Sequence, residues 1–114
     1  MDRTEMKKAY KESKRPMGVY AIRNNVNGIV HIGSGIDVEA RINRHRTELR
    51  FGSHRNKDLQ KEWNAVGELS FQFEVLDELK LRDDTKIDPL TELQVLTDMW
   101  IRKLQEEGYR VVSL

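Results

Sequence analysis

The sequence predicts an α+β domain in which a small three-stranded antiparallel sheet is flanked by helices. Three observations support this prediction. Two short β-prone runs surround an Asn-Gly turn, a third run alternates apolar and polar residues, and the other segments carry apolar residues at helical spacing. A chain of 114 residues suits one domain, because two separately cored halves would each approach the size at which a core is marginal. We assign residues 1–16 to a helical extension and residues 17–114 to the folded domain.

The first half of the chain contains a predicted helix and a β-hairpin. The charged segment before Pro16 is interpreted as a surface helix, which ends there because proline lacks a backbone donor. The first strand begins at Gly18, and residues 29–32 form the returning strand. The turn between them ends in Asn27-Gly28, a pair that tolerates positive φ easily and is typical of hairpins.

Caps and apolar spacing predict the remaining elements. Asp37 can cap a helix that begins at Val38 and ends near Gly52. A second helix is predicted over about residues 56–66, a third strand over residues 71–75, and a final helix from Pro89 to about residue 107. The tail at residues 111–112 either adds a short edge strand or packs against the core. The predicted core stripes of the helices are Val38, Ile42 and Leu49; Leu59, Trp63 and Val66; and Leu93, Leu96, Trp100 and Leu104.

Composition excludes several classes of protein. The absence of Cys excludes disulfides, thiolate nucleophiles and Cys-based metal sites. No apolar run approaches the roughly 18 residues of a membrane span, and the charged N-terminus lacks the apolar region of a secretory signal. We therefore expect a soluble, cytoplasmic protein that does not contact membranes.

Charge is distributed unevenly along the chain, although the formal net charge is only +1. Residues 41–57 carry six Arg and Lys side chains against Glu48 alone, a local balance of +5, and residues 74–98 carry a balance of −5. A local concentration of Arg and Lys attracts phosphate groups, so the first segment is a candidate nucleic-acid surface. The alternative is an ordinary solvated helix face.

Arg41 and His45 are four residues apart and therefore share one strip of the predicted helix. Guanidinium offers paired donors and imidazole titrates near pH ~6.5, so the two side chains together suit phosphate binding and proton transfer. Taken alone, however, a histidine is more often structural or solvated. Tyr20 likewise is more often a half-buried strand residue than a catalyst.

An ordered set of motifs is similar to the GIY-YIG nuclease family. Gly18-Val19-Tyr20 and, after the hairpin, His31-Ile32-Gly33 resemble the paired tripeptides that name the family. Arg41 stands where the family's helix carries its arginine, and His45 and His54 follow at the spacing of the homing-endonuclease branch. The stretch from Gly52 to Phe73 is also similar to that branch, and the resemblance covers about residues 17–109.

The resemblance implies roles for particular residues. Tyr20 would accept a proton from the attacking water or position that water, and Arg41 would hold the scissile phosphate. His31 occupies the position of the second motif's tyrosine, which supports the same pocket, while His45 and His54 would contribute hydrogen bonds or proton transfer around the phosphate. The further residues expected to bind substrate are Arg44, Arg46, Arg55, Lys57 and Arg110.

The resemblance also implies one divalent metal ion, Mg²⁺ or Mn²⁺, held by a glutamate of the late helix. Counting back from Trp100 places Thr97 at that position, and a hydroxyl is a poorer Mg²⁺ ligand than a carboxylate. Asp98 and Glu92 are the nearest acidic candidates, but on a helix they point about 100° and 140° away from Thr97. The metal ligand is therefore unknown from the sequence.

The leading functional hypothesis is a metal-assisted endonuclease that cleaves phosphodiester bonds in nucleic acid, with DNA as the preferred substrate. The alternative is a catalytically reduced member of the fold that binds nucleic acid or a protein partner, which the loss of the glutamate at Thr97 favours. A third hypothesis is an interaction module that uses the acidic region 74–98, but it leaves the clustered Arg and His residues unexplained. Whether the protein is a monomer or a dimer stays open.

Overall fold

The computed structural model describes residues 17–80 and 88–114. The helix predicted over residues 1–16 lies outside the described residues. The described elements are β1 (Gly18–Asn24), β2 (Ile29–Gly35), α1 (Val38–Arg50), α2 (Lys57–Val66), a single 3-10 turn (Glu68–Ser70), β3 (Phe71–Glu78), α3 (Pro89–Glu106) and β4 (Arg110–Ser113). No helix in the described ranges is both long enough and apolar enough to cross a bilayer.

The predicted α+β class is confirmed, and the sheet has one strand more than predicted. Its order is β3-β1-β2-β4, in which β1 pairs antiparallel with both β2 and β3. The added strand β4 pairs parallel with β2, and the main-chain N–H of Leu114 extends the pairing to the carbonyl of Ile32 at 2.8 Å. α3 connects β3, at one edge of the sheet, to β4, at the other edge. A helical crossover of this kind brings the chain back to the start of the sheet, so β4 runs in the same direction as β2.

Side-chain caps set the start of each helix. Asp37 caps α1 by accepting from the main-chain N–H of Ala40, and Asn56 caps α2 in the same way through Leu59. Asp88 caps α3, with Pro89 in the first turn where its missing donor is not needed. The predicted second helix therefore begins one residue later than Asn56, which stands outside it as the cap.

Both faces of the sheet are covered by helices. Val19, Ala21, Val30 and Ile32 face α3, which buries Leu93 and Leu104 against them. The opposite face meets α1 and α2, and its buried side chains include Tyr20, Ile22, Val38, Ile42, Leu49, Leu59 and Trp63. Alternation along β1 thus places Tyr20 on the face that carries α1.

Candidate active site

A polar pocket lies where the ends of β2 and β4 meet α1 and α3, and we call it the tyrosine pocket. It encloses about 220 Å³ and has Tyr20 in its wall. The tail of β4 closes one side, so the strand that the sequence left as an alternative helps to form the site. The described lining residues are Tyr20, Ile32, Gly33, Ser34, Arg41, His45, Arg55, Gln94, Thr97, Ile101, Ser113 and Leu114.

Two glycines of β2 make room for the functional side chains. Gly33 stands directly opposite Tyr20 in the β1–β2 pairing, and a Cβ added there would lie 2.6 Å from both Cζ and Oη of the tyrosine. A Cβ added at Gly35 would lie 2.7 Å from Nε of Arg41. Gly33 therefore lets the phenol lie against the strand, and Gly35 does the same for the guanidinium.

Three predicted residues form a continuous hydrogen-bonded set, the Tyr20–His45–His54 triad. The Tyr20 hydroxyl oxygen lies 2.6 Å from Nε2 of His45, and Nδ1 of His45 lies 2.7 Å from Nε2 of His54. The two imidazoles are stacked, with ring centroids 5.0 Å apart. His45 and Tyr20 line the pocket, whereas His54 is 1% exposed and lies behind His45.

The environment keeps all three members of the triad electrically neutral near pH 7. Burial raises the pKa of Tyr20, although the positive charges of Arg41 and Arg55 oppose this effect. Burial also lowers the pKa of His45 to about 4, with a further contribution from His54. The pKa of His54 is lowered as well, mainly by burial, while Glu48 acts in the opposite direction. The triad therefore consists of a phenol and two neutral imidazoles.

Two arginines give the pocket its positive charge. Arg41 and Arg55 both line it, and both are exposed. Within the described residues neither guanidinium has a carboxylate partner. An unpaired guanidinium retains its donors for a bound phosphate, so the pocket suits a phosphate group beside the phenol.

A larger cleft adjoins the tyrosine pocket and shares part of its wall. It encloses about 540 Å³, and Arg41, His45 and Arg55 line both spaces. Arg44 also lines the cleft, where its Nε donates to Glu48 at 2.8 Å as an exposed pair on α1. The two spaces together form a continuous basic surface around His45, which fits more than one phosphate of a nucleic-acid strand.

The structure places four other predicted residues outside the pocket. His31 is buried, and its Nε2 lies 2.8 Å from a carboxylate oxygen of Glu62 on α2. The guanidinium of Arg46 lies 4.5 Å from the centre of the Phe73 ring. Lys57 is exposed at the start of α2, and Arg110 pairs with Ile29 at the far end of β4. The fold therefore gathers Tyr20, Arg41, His45, His54 and Arg55 and leaves these four apart.

The residues at the expected metal position do not fit a divalent cation. Thr97 lines the tyrosine pocket, but its hydroxyl donates to the Leu93 carbonyl at 2.7 Å. Asp98 is exposed and does not line the pocket, although its carboxylate accepts from the pocket residue Gln94, and Glu92 does not line the pocket either. The described lining contains no carboxylate, and the described residues contain no cluster of three or more His, Asp or Glu side chains that could hold a metal ion.

Sequence reasoning assigned no role to two residues that organise the site. Gln60 is buried, and its amide accepts from the main-chain N–H of His54 and donates to the Leu49 carbonyl. Gln94 lines the pocket one helical turn before Thr97. The i, i+3 spacing of Gln94 and Thr97 was a usable signal, because such residues share a helix face. The long-range contacts of Gln60 have no counterpart in a sequence pattern.

Comparisons with known proteins identify a matching family and several similar proteins. A family model described as the GIY-YIG catalytic domain matches residues 16–85. Intron-associated endonuclease 1 of Enterobacteria phage T4 is 31% identical over 98 residues, and the match covers 84% of this chain and 37% of that protein. The chain thus spans little more than a third of the length of that relative.

Two solved structures have the same arrangement of elements. The catalytic domain of the homing endonuclease I-TevI matches with a TM-score of 0.63 and 27% identity, covering 84% of this chain and 97% of that domain. A mutant of the catalytic domain of the intron endonuclease I-TevI matches with a TM-score of 0.61 and 30% identity, covering 83% and 92% of the two chains. The similarity therefore extends over nearly the whole of that catalytic domain.

Proposed function

The chain belongs to the GIY-YIG family, and from this premise we propose that it is an endonuclease that hydrolyses phosphodiester bonds in DNA. One observation carries the proposal. A phenol hydrogen-bonded to a neutral imidazole stands in the same pocket as two unpaired guanidiniums. This combination supplies phosphate binding and a site for proton transfer in one place.

Hydrolysis of a phosphodiester bond places particular demands on the pocket. The oxygen of a water molecule attacks phosphorus, the bond from phosphorus to one sugar oxygen breaks, and that sugar oxygen takes up a proton from solvent. Arg41 and Arg55 would donate hydrogen bonds to the non-bridging phosphate oxygens and stabilise their negative charge during the attack. Tyr20, as a phenolate, would accept the proton that the attacking water loses, and His45 would remain hydrogen-bonded to the phenol oxygen throughout.

The protonation state of Tyr20 sets the expected pH dependence. Burial raises the pKa of this phenol, so the phenolate is a minor species at neutral pH. The cleavage rate should therefore rise with pH through the alkaline range, as expected for a base that must first lose its own proton. A rate that falls as the pH rises from 7 to 9 would contradict this role for Tyr20.

A bound Mg²⁺ or Mn²⁺ would stabilise negative charge on the departing oxygen. The resemblance leads us to expect such an ion, but no described carboxylate lines the pocket and the Thr97 hydroxyl is already donated to the main chain. The proposed reaction therefore uses only water and the side chains of the described pocket. Cleavage in EDTA, compared with cleavage in Mg²⁺ and in Mn²⁺, measures any dependence on divalent ions.

The experiment is a cleavage assay on plasmid, linear duplex and single-stranded DNA, each in Mg²⁺, in Mn²⁺ and in EDTA. Wild-type protein should cleave at least one substrate, and Arg41→Ala and Tyr20→Phe should each lose most of that activity. Arg50→Ala is the matched control, because this arginine is also on α1 but pairs with Glu68. Activity that survives both pocket substitutions would refute the proposed site.

The second candidate function is a DNA-binding module without hydrolysis, and the position of Thr97 favours it. Thr97 stands in the pocket wall, and the described lining of the pocket contains no carboxylate, whereas the two guanidiniums needed for phosphate binding are retained. Under this candidate, no substrate is cleaved in any ion condition, but DNA binding persists and weakens with salt and with Arg41→Ala. The same set of variants therefore separates the two functions.

A further inference from the structure

The Tyr20–His45–His54 triad continues beyond its last histidine to a main-chain group. The main-chain nitrogen of Asn56 donates to Nδ1 of His54 at 3.0 Å. An amide N–H can only donate, so Nδ1 of His54 must be an acceptor and carries no proton. This contact differs from the other links of the triad because its direction does not depend on a tautomer.

That fixed direction propagates through both imidazoles. A neutral imidazole holds one proton, so the proton of His54 is on Nε2, from which it is donated to Nδ1 of His45 at 2.7 Å. Nδ1 of His45 is then an acceptor, and the proton of His45 is on Nε2. That nitrogen lies 2.6 Å from the Tyr20 oxygen, which therefore accepts from His45.

We infer that the Asn56 main-chain N–H sets the polarity of the triad, so that His45 donates to the phenol oxygen and the Tyr20 proton is directed into the pocket. Asn56 is thus a positioning residue, and His54 acts through His45. The catalytic consequence rests on the proposed function. In the pocket, the neutral phenol is a donor to a phosphate oxygen, and after it loses its proton the phenolate still receives a hydrogen bond from His45.

The surrounding structure holds the Asn56 N–H in place. The Asn56 side chain accepts from the Leu59 N–H as the cap of α2, and the buried amide of Gln60 accepts from the His54 N–H. Gln60 also donates to the Leu49 carbonyl near the end of α1. These contacts fasten the segment from His54 to Asn56 between two helices, so the direction of the triad is a property of the folded chain.

Histidine tautomers can be measured directly in protein labelled with ¹⁵N in the imidazole rings. Long-range ¹H–¹⁵N correlation spectra distinguish protonated from unprotonated ring nitrogens, and the chain has three histidines. His31→Gln and His54→Gln spectra assign the signals. At pH 7 we expect wild-type His45 and His54 both to carry their proton on Nε2. A wild-type His45 that carries its proton mainly on Nδ1 would overturn the inference.

Two substitutions at Asn56 isolate the N–H from the cap. Asn56→Pro removes both groups. The native φ of −81° suits proline, but the proline Cδ takes the place of the hydrogen that is donated to Nδ1 of His54, so the His54 ring must also shift away from residue 56. Asn56→Ala removes the side-chain cap and retains the N–H. The proline variant should reduce the Nε2–H preference of His54 by about two- to tenfold, the effect of losing one hydrogen bond. The alanine variant should keep the wild-type tautomers.

Unchanged tautomers in a folded Asn56→Pro protein would also overturn the inference. If that variant does not fold, the wild-type and Asn56→Ala spectra still decide the polarity. Cleavage by Asn56→Pro should fall relative to Asn56→Ala, with a larger effect on kcat than on KM. The spectra need no substrate, so a protein without nuclease activity would refute the proposed function and leave this inference to be judged on its own.

Discussion

Replacement of Gly33 by alanine should damage the site through one added methyl group. Gly33 faces Tyr20 across the β1–β2 pair, and the new Cβ would lie 2.6 Å from Cζ and Oη of the phenol. Ordinary contacts of this kind begin near 3.4 Å, so the ring must retreat by about 0.8 Å. The phenol oxygen is already 2.6 Å from Nε2 of His45, and the ring therefore cannot move toward that histidine without a second clash.

The expected size of the effect follows from this displacement. Adding a methyl group to a packed interior costs about 1–3 kcal/mol of the free energy of unfolding, and Tm falls by about 3–5 °C for each kcal/mol in a domain of this size. A misplacement of about 1 Å at a reacting group lowers a rate by roughly 100-fold. Gly33→Ala should therefore lower both Tm and kcat.

Gly35→Ala provides a matched comparison, because the same methyl group is added two residues along the same strand. Its neighbour is the side chain of Arg41, with Nε at 2.7 Å. Arg41 is exposed, so its flexible side chain can move aside, and stability should stay within about 0.5 kcal/mol. DNA affinity should fall because the added methyl group displaces the Arg41 guanidinium from its position in the pocket wall.

Thermal and denaturant unfolding measure the stability change, and single-turnover cleavage measures the rate. In a Tyr20→Leu background, which removes the obstructing end of the ring, the added cost of Gly33→Ala should fall below about 0.5 kcal/mol. A Gly33→Ala protein as stable and as active as wild type would refute the steric conflict between residue 33 and Tyr20. A stability cost that persists at full size in the Tyr20→Leu protein would refute it as well.

Three further predictions test other parts of the site. Because the pKa of His45 is lowered to about 4, the unfolded state binds more protons between that pH and about 6.5, so this group should lower stability by about 1–2 kcal/mol as the pH drops from 7 to 4.5, after discounting for partial exposure. Denaturant titrations of His45→Gln should lose this contribution and keep the one from His54, whose pKa is also lowered. A flat wild-type profile would contradict the prediction. Thr97→Glu should create a response to Mg²⁺ or Mn²⁺, measured as a metal-dependent rise in Tm and in cleavage rate, whereas Thr97→Gln should show no such rise. A Thr97→Glu protein without the response would show that this position cannot supply the missing ligand. Arg41→Gln should reduce the slope of log Kd against log salt concentration by about one phosphate contact. In the same binding titrations Arg50→Gln should keep the wild-type slope, because the Arg50 guanidinium pairs with Glu68. Equal slopes for wild type and Arg41→Gln would argue against a phosphate on Arg41.

Much of the fold was predictable because its signals are local. The Asn-Gly turn, the cap at Asp37 and Pro89 in the first turn of α3 each act over a few residues, and the structure confirms these elements. The fourth strand was only one of two alternatives. Its pairing with β2 depends on where α3 returns the chain, which no local pattern encodes.

The candidate site was predictable in part. The motif spacing selected Tyr20, Arg41, His45 and His54, and the structure brings these side chains together. It also selected His31, which instead contacts Glu62 on α2. The sequence does not distinguish His31 from His45 and His54, because the difference lies in the side chains that pack beside each ring in the folded chain.

By itself the sequence determined the family, the order of the local elements and the concentration of positive charge on residues 41–57, since these depend on residue type and spacing. It also determined that threonine stands at residue 97. Tertiary structure decided which charges are available: Arg50 is paired with Glu68, while Arg41 and Arg55 line the pocket. It also decided the direction of the triad, because a proton on an imidazole is placed by partners that are distant in sequence or belong to the main chain.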